Sequence, residues 1–229
     1  MDFSRFSVLL FDCYGTLIDW ESGLLQALRP VFSAHLVRIP DEKALSLFAE
    51  LEAEAEKGEF QIYKEVLKTV LRGFGEHLKF TPYPGELQSF ALSVGDWKPF
   101  SDTVAALKQL KRRFRLGILS NVDDDLFAHS AQALKVPFDW VITAQQVGSY
   151  KPDLNNYRLA LQRIGLPQAQ VLHVAQSLYH DIQPAHELGL ATVWVNRRVG
   201  KNGSGATFPA QATPDLEIPD LATLARLSQ

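Results

Sequence analysis

The sequence predicts an α/β fold, a doubly wound parallel sheet into which a helical unit is inserted. Two observations predict it: short apolar runs alternate with helix-length segments, and one long interval between the first two runs shows helical spacing only. The runs are rich in branched side chains, which is typical of parallel strands covered on both faces. They lie at residues 8–11, 116–119, 140–143, 171–175 and 192–195.

Strand and helix patterns alternate from the second run onward. Helix-length segments at residues 123–134, 155–164 and 179–188 separate the later runs. Parallel neighbours in one sheet are joined by right-handed crossovers, so this alternation indicates an open sheet with helices on both faces.

The interval between the first two runs, residues 21–98, contains no convincing strand. Apolar residues recur there at helical spacing, at positions 44, 47, 48, 51 and 55 and again at 62, 66, 67, 70 and 71. An interval of this length is too long for a plain loop. We therefore predict an α-helical cap at residues 20–96, inserted into a core formed by residues 1–19 and 97–229.

Composition narrows the class of protein. The chain has 229 residues, 46% of them hydrophobic, which is enough for one large core and a smaller appended unit. A net charge of −3 provides no basic surface for nucleic acid or an anionic membrane.

Residues 1–12 lack the apolar run of a signal peptide or membrane span. Cys13 is the only cysteine, which excludes an internal disulfide and fits a reducing cytoplasm.

Polar side chains follow the predicted strands. Ligands of open parallel sheets bind beyond the carboxyl ends of the strands, so these side chains are expected to converge on one rim. They are Asp12 after the first strand, Ser120 and Asn121 after the second, Lys151 after the third and Asp181 after the fourth.

This set of residues suits covalent hydrolysis. A carboxylate such as Asp12 can attack an electrophilic carbon or phosphorus and form an ester. Lys151 would favour the ionised carboxylate. The hydroxyls of Thr16 and Ser120 could orient it, and Asp181 could position or deprotonate the water that hydrolyses the ester.

Four stretches, "FDCYGTLID", "ILSN", "YKPD" and "HDIQPAHELGL", resemble the four motifs of the haloacid dehalogenase (HAD) superfamily, in order and at family-like spacing. The resemblance implies a Rossmann-like core with a helical cap. It implies that Asp12 is the nucleophile, Ser120 the hydroxyl of the second motif, Lys151 the lysine of the third and Asp181 the acid of the fourth.

Tyr14 decides between two branches of that superfamily. HAD phosphatases carry a second Asp at this position, which protonates the leaving alkoxide, and a phenol with a pKa near ~10 is a poor substitute. Halide leaves without protonation. The 2-haloacid dehalogenases resemble this chain in "DxYGTLxD", in Asn121 and in a Tyr six residues after the lysine, Tyr157. Tyr14, Asn121 and Tyr157 are therefore expected to bind substrate, together with Gln176 and Ser177 on the rim.

The metal-binding acid of the phosphatases is also replaced. It lies five residues before Asp181, at the position of Gln176, and Mg²⁺ prefers several charged oxygens. We expect no cofactor, with Mg²⁺ required only if the chain is a phosphatase.

The cap departs from that of the 2-haloacid dehalogenases. Those enzymes hold the substrate carboxylate with an arginine of the cap, and residues 47–67 contain no arginine. Lys57 or Lys64 could serve instead, although an ammonium cannot form the bidentate fork of a guanidinium.

The sequence thus favours a cytoplasmic hydrolase that removes halide from a small 2-haloacid through an aspartyl ester. Two alternatives stay open: a Mg²⁺-dependent phosphatase of a small phosphorylated metabolite, and a HAD-fold protein that binds a ligand without turnover. The expected partner is a small organic acid. The oligomeric state is open, and a homodimer, as in many members of the family, is one expectation.

Overall fold

The computed structural model describes residues 1–201 and 203–229. It contains a six-stranded sheet in the order β3-β2-β1-β4-β5-β6, in which every neighbouring pair is parallel. The strands are β1 Val8–Phe11, β2 Arg115–Ser120, β3 Trp140–Thr143, β4 Val171–Ala175, β5 Ala191–Val195 and β6 Leu216–Ile218. The predicted doubly wound α/β fold is confirmed.

The described part of the chain contains ten α-helices. They are α1 Trp20–Ala34, α2 Asp41–Ala55, α3 Tyr63–Leu78, α4 Pro84–Leu92, α5 Thr103–Leu110, α6 Asp124–Leu134, α7 Ala144–Val147, α8 Leu154–Ile164, α9 Gln183–Glu187 and α10 Leu221–Leu227. None of the helices in these residues is both long and apolar enough to cross a bilayer.

The central strand β1 is fully buried, which explains its unbroken apolar run. Successive side chains of a strand point to opposite faces. Val8 and Leu10 pack in a core with Tyr157 of α8, whereas Leu9 and Phe11 belong to the larger core on the other side of the sheet. Both faces of the sheet are therefore covered by apolar side chains.

Helices α1–α4 form a helical insertion between β1 and β2, where the sequence predicts a cap. In α3 the apolar positions 66, 67, 70, 71 and 74 are all buried, as the helical spacing predicts. Helix α1 packs closely on the segment that returns to the sheet, because a Cβ on Gly23 would lie 2.3 Å from the Trp97 ring. The domain boundaries at residues 20 and 96 stay a prediction.

The chain leaves the sheet for the insertion and returns to it at one place. Ile18 and Pro99 form an antiparallel bridge. The N–H of Asp19 donates to the carbonyl of Lys98 at 2.8 Å, and the N–H of Phe100 donates to the carbonyl of Leu17 at 3.1 Å. The two connecting segments are thus hydrogen-bonded to each other directly beside the carboxyl end of β1.

The sequence analysis missed one strand, β6. It has only three residues and lies at the sheet edge, where Leu216 and Glu217 are not buried. A run this short, with a charged residue in its centre, has neither the length nor the apolar pattern by which a strand is recognised.

Candidate active site

The carboxyl ends of the strands bring four of the predicted residues together. Asp12 directly follows β1, Ser120 ends β2, Lys151 follows α7, and Asp181 lies in a π-helical turn, Leu178–Ile182, after β4. All four are buried, with between 1% and 6% of their surface exposed. Ionisable side chains at this depth must be paired, and the pairing defines the site.

Lys151 lies between the two carboxylates. Its Nζ donates to Asp12 Oδ1 at 2.9 Å, to Asp181 Oδ1 at 2.7 Å and to the carbonyl of Leu119 at 3.0 Å. An ammonium has three N–H donors, so all of them are used. Burial by itself would lower the pKa of Lys151, but the two carboxylates raise it above its usual range. The lysine is therefore held protonated.

Asn121 positions the lysine loop. Its Oδ1 accepts from the Lys151 N–H at 2.7 Å, and its Nδ2 donates to the Lys151 carbonyl at 3.0 Å. Both ends of the amide thus bind the backbone of the residue whose side chain reaches the carboxylates.

The turn after β1 orients the Asp12 carboxylate. Gly15 has a φ of 90°, which a residue with a side chain rarely adopts, and the turn carries Thr16 back toward Asp12. Thr16 Oγ1 donates to Asp12 Oδ2 at 2.6 Å and accepts from the N–H of Gln176 at 2.9 Å. Burial raises the pKa of Asp12 above its usual value, against the opposing effect of Lys151.

Asp181 is held by a residue that the sequence analysis did not select for the site. His173, fully buried in β4, has its Nε2 2.9 Å from Asp181 Oδ1. Burial acts to raise the pKa of Asp181, but Lys151 and His173 lower it to about 2. A histidine inside an otherwise apolar strand was the available signal, yet its spacing to Asp181 matches no motif.

A small cavity opens at these residues, with a volume of about 40 Å³. A single water needs roughly 10–15 Å³ by the same kind of measure, so the cavity can receive several waters or a substrate of a few atoms. Its wall consists of Asp12, Tyr14, Trp20, Glu52, Glu56, Tyr63, Ser120, Asn121, Lys151, Gln176, Ser177, His180, Asp181 and Thr207.

Ser120 differs from the other polar residues of the wall. Its Oγ is buried and has no hydrogen-bond partner among residues 1–201 and 203–229. Buried hydroxyls are nearly always satisfied, so an unpartnered one beside Asp12 is suited to receive a polar group of a ligand.

The predicted substrate-binding residues do not all face the cavity. Tyr14 lines it, and its hydroxyl is 2.9 Å from Ser130 Oγ. Gln176 and Ser177 also line it, and the Gln176 carbonyl accepts from the Trp194 indole at 2.8 Å. Tyr157 lies behind the wall instead, where its hydroxyl donates to the His180 carbonyl at 2.6 Å. It supports the turn that carries Asp181.

The helical insertion supplies a wall with no arginine. Glu52 of α2, Glu56 directly after α2 and Tyr63 of α3 line the cavity; we call these three residues the acidic wall. The Tyr63 hydroxyl donates to Glu52 Oε1 at 2.6 Å. Burial raises the pKa of Glu52 to about 7 and that of Glu56 well above its usual range.

The two lysines considered in place of an arginine lie elsewhere. Lys57 pairs with Glu54, and Lys64 pairs with Asp125 at 2.6 Å. Neither lies in the wall of the cavity. They came under consideration because they are the lysines of residues 47–67, which contain no arginine, but their side chains pair with carboxylates outside the cavity.

The last residues of the glycine-rich segment 200–208 contribute to the cavity, which the sequence analysis did not predict. Asn202 lies outside the described residues. Ala206 and Thr207 are buried, the Ala206 N–H donates to Glu21 Oε1 at 3.2 Å, and Thr207 enters the cavity wall. The partner on α1 is far away in sequence, so composition alone could not reveal the contact.

The donor set does not fit Mg²⁺. Asp12 and Asp181 both bind the Lys151 ammonium, and the third acidic position is the neutral Gln176, whose Oε1 is 3.4 Å from Thr207 Oγ1. Mg²⁺ requires near-octahedral coordination by oxygens, usually with several carboxylates. In the residues that the structure describes, no three side chains of His, Cys, Asp or Glu are grouped to hold a metal ion.

Asp123 fastens the helical insertion to the site. Its carboxylate accepts from the backbone N–H groups of Tyr63 at 2.7 Å and Lys64 at 3.0 Å, at the start of α3. The residue before that helix, Ile62, provides no side-chain cap. Asp123 therefore caps α3 from across the chain and keeps Tyr63 at the cavity.

Replacing Asp123 with Ala is expected to destabilise the protein by about 1–2 kcal/mol, because two N–H groups lose their acceptor. Urea denaturation measures the loss. Asp125→Ala is the matched control, since it removes an exposed ion pair with Lys64 and a local contact with the Leu126 N–H and should cost less than ~0.5 kcal/mol. Equal losses in the two variants would contradict the capping role.

Comparisons with known proteins agree with this geometry. A family model described as haloacid dehalogenase-like hydrolase matches residues 6–189. An (S)-2-haloacid dehalogenase of Pseudomonas fluorescens is 27% identical over 224 residues, covering 94% of this chain and 93% of the relative. A glyceraldehyde 3-phosphate phosphatase of Methanocaldococcus jannaschii is 25% identical over 194 residues, covering 81% and 82%.

Solved structures show the same fold. One L-2-haloacid dehalogenase superposes with a TM-score of 0.80 at 25% identity, covering 97% of this chain and 98% of that one. The L-2-haloacid dehalogenase of Xanthobacter autotrophicus has a TM-score of 0.80 at 22% identity, with coverage of 97% and 98%. The solved structures thus share the fold, and the sequence relatives include both dehalogenases and a phosphatase.

Proposed function

Because this chain belongs to the haloacid dehalogenase-like hydrolases, we propose that it removes halide from a small organic halide by way of an ester on Asp12. The halogen is on the carbon next to a carboxyl-type carbon, as in the 2-haloacids that the dehalogenase relatives are named for. The carbonyl group activates this carbon toward displacement.

The observation that carries the proposal is the combination of a firmly held Asp12 carboxylate with a tyrosine, Tyr14, at the position two residues later. Asp12 is buried at the cavity with one oxygen bound by Thr16 and the other by Lys151, so the carboxylate is aimed and its charge is balanced. Tyr14 occupies the position where a phosphatase needs an acid. Burial raises the pKa of Tyr14 well above its usual range, so the phenol neither ionises nor protonates a leaving alkoxide readily.

The reaction proceeds in two steps. First, an Asp12 oxygen forms a bond to the substrate carbon while the carbon–halogen bond breaks, and the electron pair leaves with the halide. Water then attacks the carbonyl carbon of the Asp12 ester and releases a 2-hydroxy product. The Lys151 ammonium stabilises the oxyanion that forms in this second step.

Asp181 acts in this scheme by holding Lys151 and orienting the water. Its pKa of about 2 makes it a weak base. His180 also lines the cavity, and burial lowers the pKa of its imidazole to about 4, so the ring is neutral at pH 7; it is the stronger base of the two and takes the proton of the water as the water attacks. No metal ion takes part.

The proposed function is tested by measuring two products. We expect halide release from 2-chloropropionyl compounds, the acid and the amide, that is unchanged by a chelator. Phosphate release from p-nitrophenyl phosphate that requires Mg²⁺, without halide release from either compound, would favour the phosphatase and refute the proposal. The absence of both activities would favour a protein that binds without turnover.

A further inference from the structure

The glutamates of the acidic wall are not expected to stabilise the folded protein. Glu52 and Glu56 are four residues apart, so they lie on the same side of the end of α2. Like charges at this spacing repel each other even on an exposed helix, and burial makes the repulsion more costly. Glu52 has 5% of its surface exposed, yet in the described part of the chain the only hydrogen-bond partner of its side chain is the Tyr63 hydroxyl.

No free cation balances these carboxyl groups. In the described part of the chain, neither Glu52 nor Glu56 forms an ion pair, and Lys151 is the only lysine or arginine in the cavity wall. All three donors of Lys151 are already used by Asp12, Asp181 and the Leu119 carbonyl. A substrate carboxylate entering the cavity would therefore meet two carboxylates, those of Asp12 and Asp181, and a single ammonium that is already paired with both.

The groups in the cavity wall suit an uncharged ligand that has both hydrogen-bond donors and an acceptor. Glu52 and Glu56 present acceptor oxygens, and the unpartnered Ser120 Oγ, 2% exposed, presents a hydroxyl donor on the same cavity. A primary amide has two N–H donors and one carbonyl acceptor, and it carries no charge. It also keeps the carbonyl group that activates the neighbouring carbon.

We propose that the acidic wall selects an uncharged, N–H-bearing substrate, so that the protein turns over small 2-halo carboxamides in preference to 2-haloacid anions. The amide N–H groups bind Glu52 and Glu56, and the carbonyl oxygen accepts from Ser120. This inference rests on the proposed function, since Asp12 still displaces the halide.

The test compares kcat/KM for halide release from 2-chloropropionamide and from 2-chloropropionate at pH 7.5. We expect the amide to be preferred at least tenfold. In the double variant Glu52→Gln/Glu56→Gln, whose amides can donate to a carboxylate, the ratio should shift toward the acid by at least tenfold. The ratio reports selectivity, so a general loss of activity does not move it.

Glu54→Gln is the matched control, because Glu54 is exposed on the same helix and pairs with Lys57. It should leave the ratio unchanged. Near-UV circular dichroism checks the fold of each variant. A wild-type preference for the acid, or a ratio that the double variant does not change, would overturn the inference.

If neither compound releases halide, the proposed function fails. Selection by the acidic wall is then tested separately, by measuring ligand binding. Propionamide and propionate are then titrated against the wild-type protein by NMR. Tighter binding of propionamide, weakened in the double variant, would support selection by the acidic wall. Equal or tighter binding of propionate would refute it.

Discussion

Replacing Asp12 with Asn is expected to abolish turnover while the protein still folds. The single carboxamide oxygen can still accept from Lys151, with the NH₂ group turned toward Thr16, but the side chain has no anionic oxygen with which to form the ester. We expect kcat to fall by at least about a thousandfold, measured by halide release from the faster of the two 2-chloropropionyl compounds. Asp41→Asn, which disturbs only an exposed pair with Arg29, should retain full activity.

Isotope labelling tests the same carboxylate directly. When the wild-type protein turns over in heavy-oxygen water, the attacking water delivers its oxygen to the Asp12 side chain before the product leaves. The label should therefore accumulate in the peptide that contains Asp12. Label found only in the product, with none in that peptide, would refute the ester mechanism.

Replacing Lys151 with Met is expected to remove activity and to destabilise the protein by about 3–5 kcal/mol at pH 7, because the carboxylates of Asp12 and Asp181 stay buried without their counter-charge. Urea denaturation measures the loss. Lys57→Met removes an exposed ammonium paired with Glu54 and should cost less than ~0.5 kcal/mol. Equal losses in the two variants would contradict this account.

The loss of stability in Lys151→Met should depend on pH. In the wild type the folded-state pKa of Asp181 is about 2, below the unfolded value of ~3.9, so its stabilising contribution is present above pH ~4 and is lost as the pH falls toward 2. In Lys151→Met the ammonium is gone, so the folded-state pKa values of both carboxyls rise and the folded variant gains stability as they protonate. The difference between the two proteins should therefore narrow from pH 7 to pH 4.

The sequence predicted the half of the site that lies on the sheet. Asp12, Ser120, Lys151 and Asp181 directly follow strand patterns or the loops after them, and parallel strands place such positions on one rim. The fold and the family followed from the same pattern, and both are confirmed.

The half of the site that lies on the helical insertion could not be predicted in this way. Helical spacing shows which residues of α2 and α3 are buried, but not which buried position meets another unit of the chain. Glu52 was hidden in an acidic run typical of an exposed helix. The contact of His173 with Asp181 depends on the π-helical turn after β4, and no sequence pattern specified that turn.

The paired connecting segments at Leu17–Asp19 and Lys98–Phe100 have a consequence for how such a protein can diversify. Because the chain leaves the sheet and returns to it through one hydrogen-bonded pair of segments, the insertion α1–α4 can be exchanged as a unit without shifting the register of any strand. Directed evolution restricted to this insertion would change substrate choice, while Asp12, Lys151 and Asp181 at the rim of the sheet stay the same.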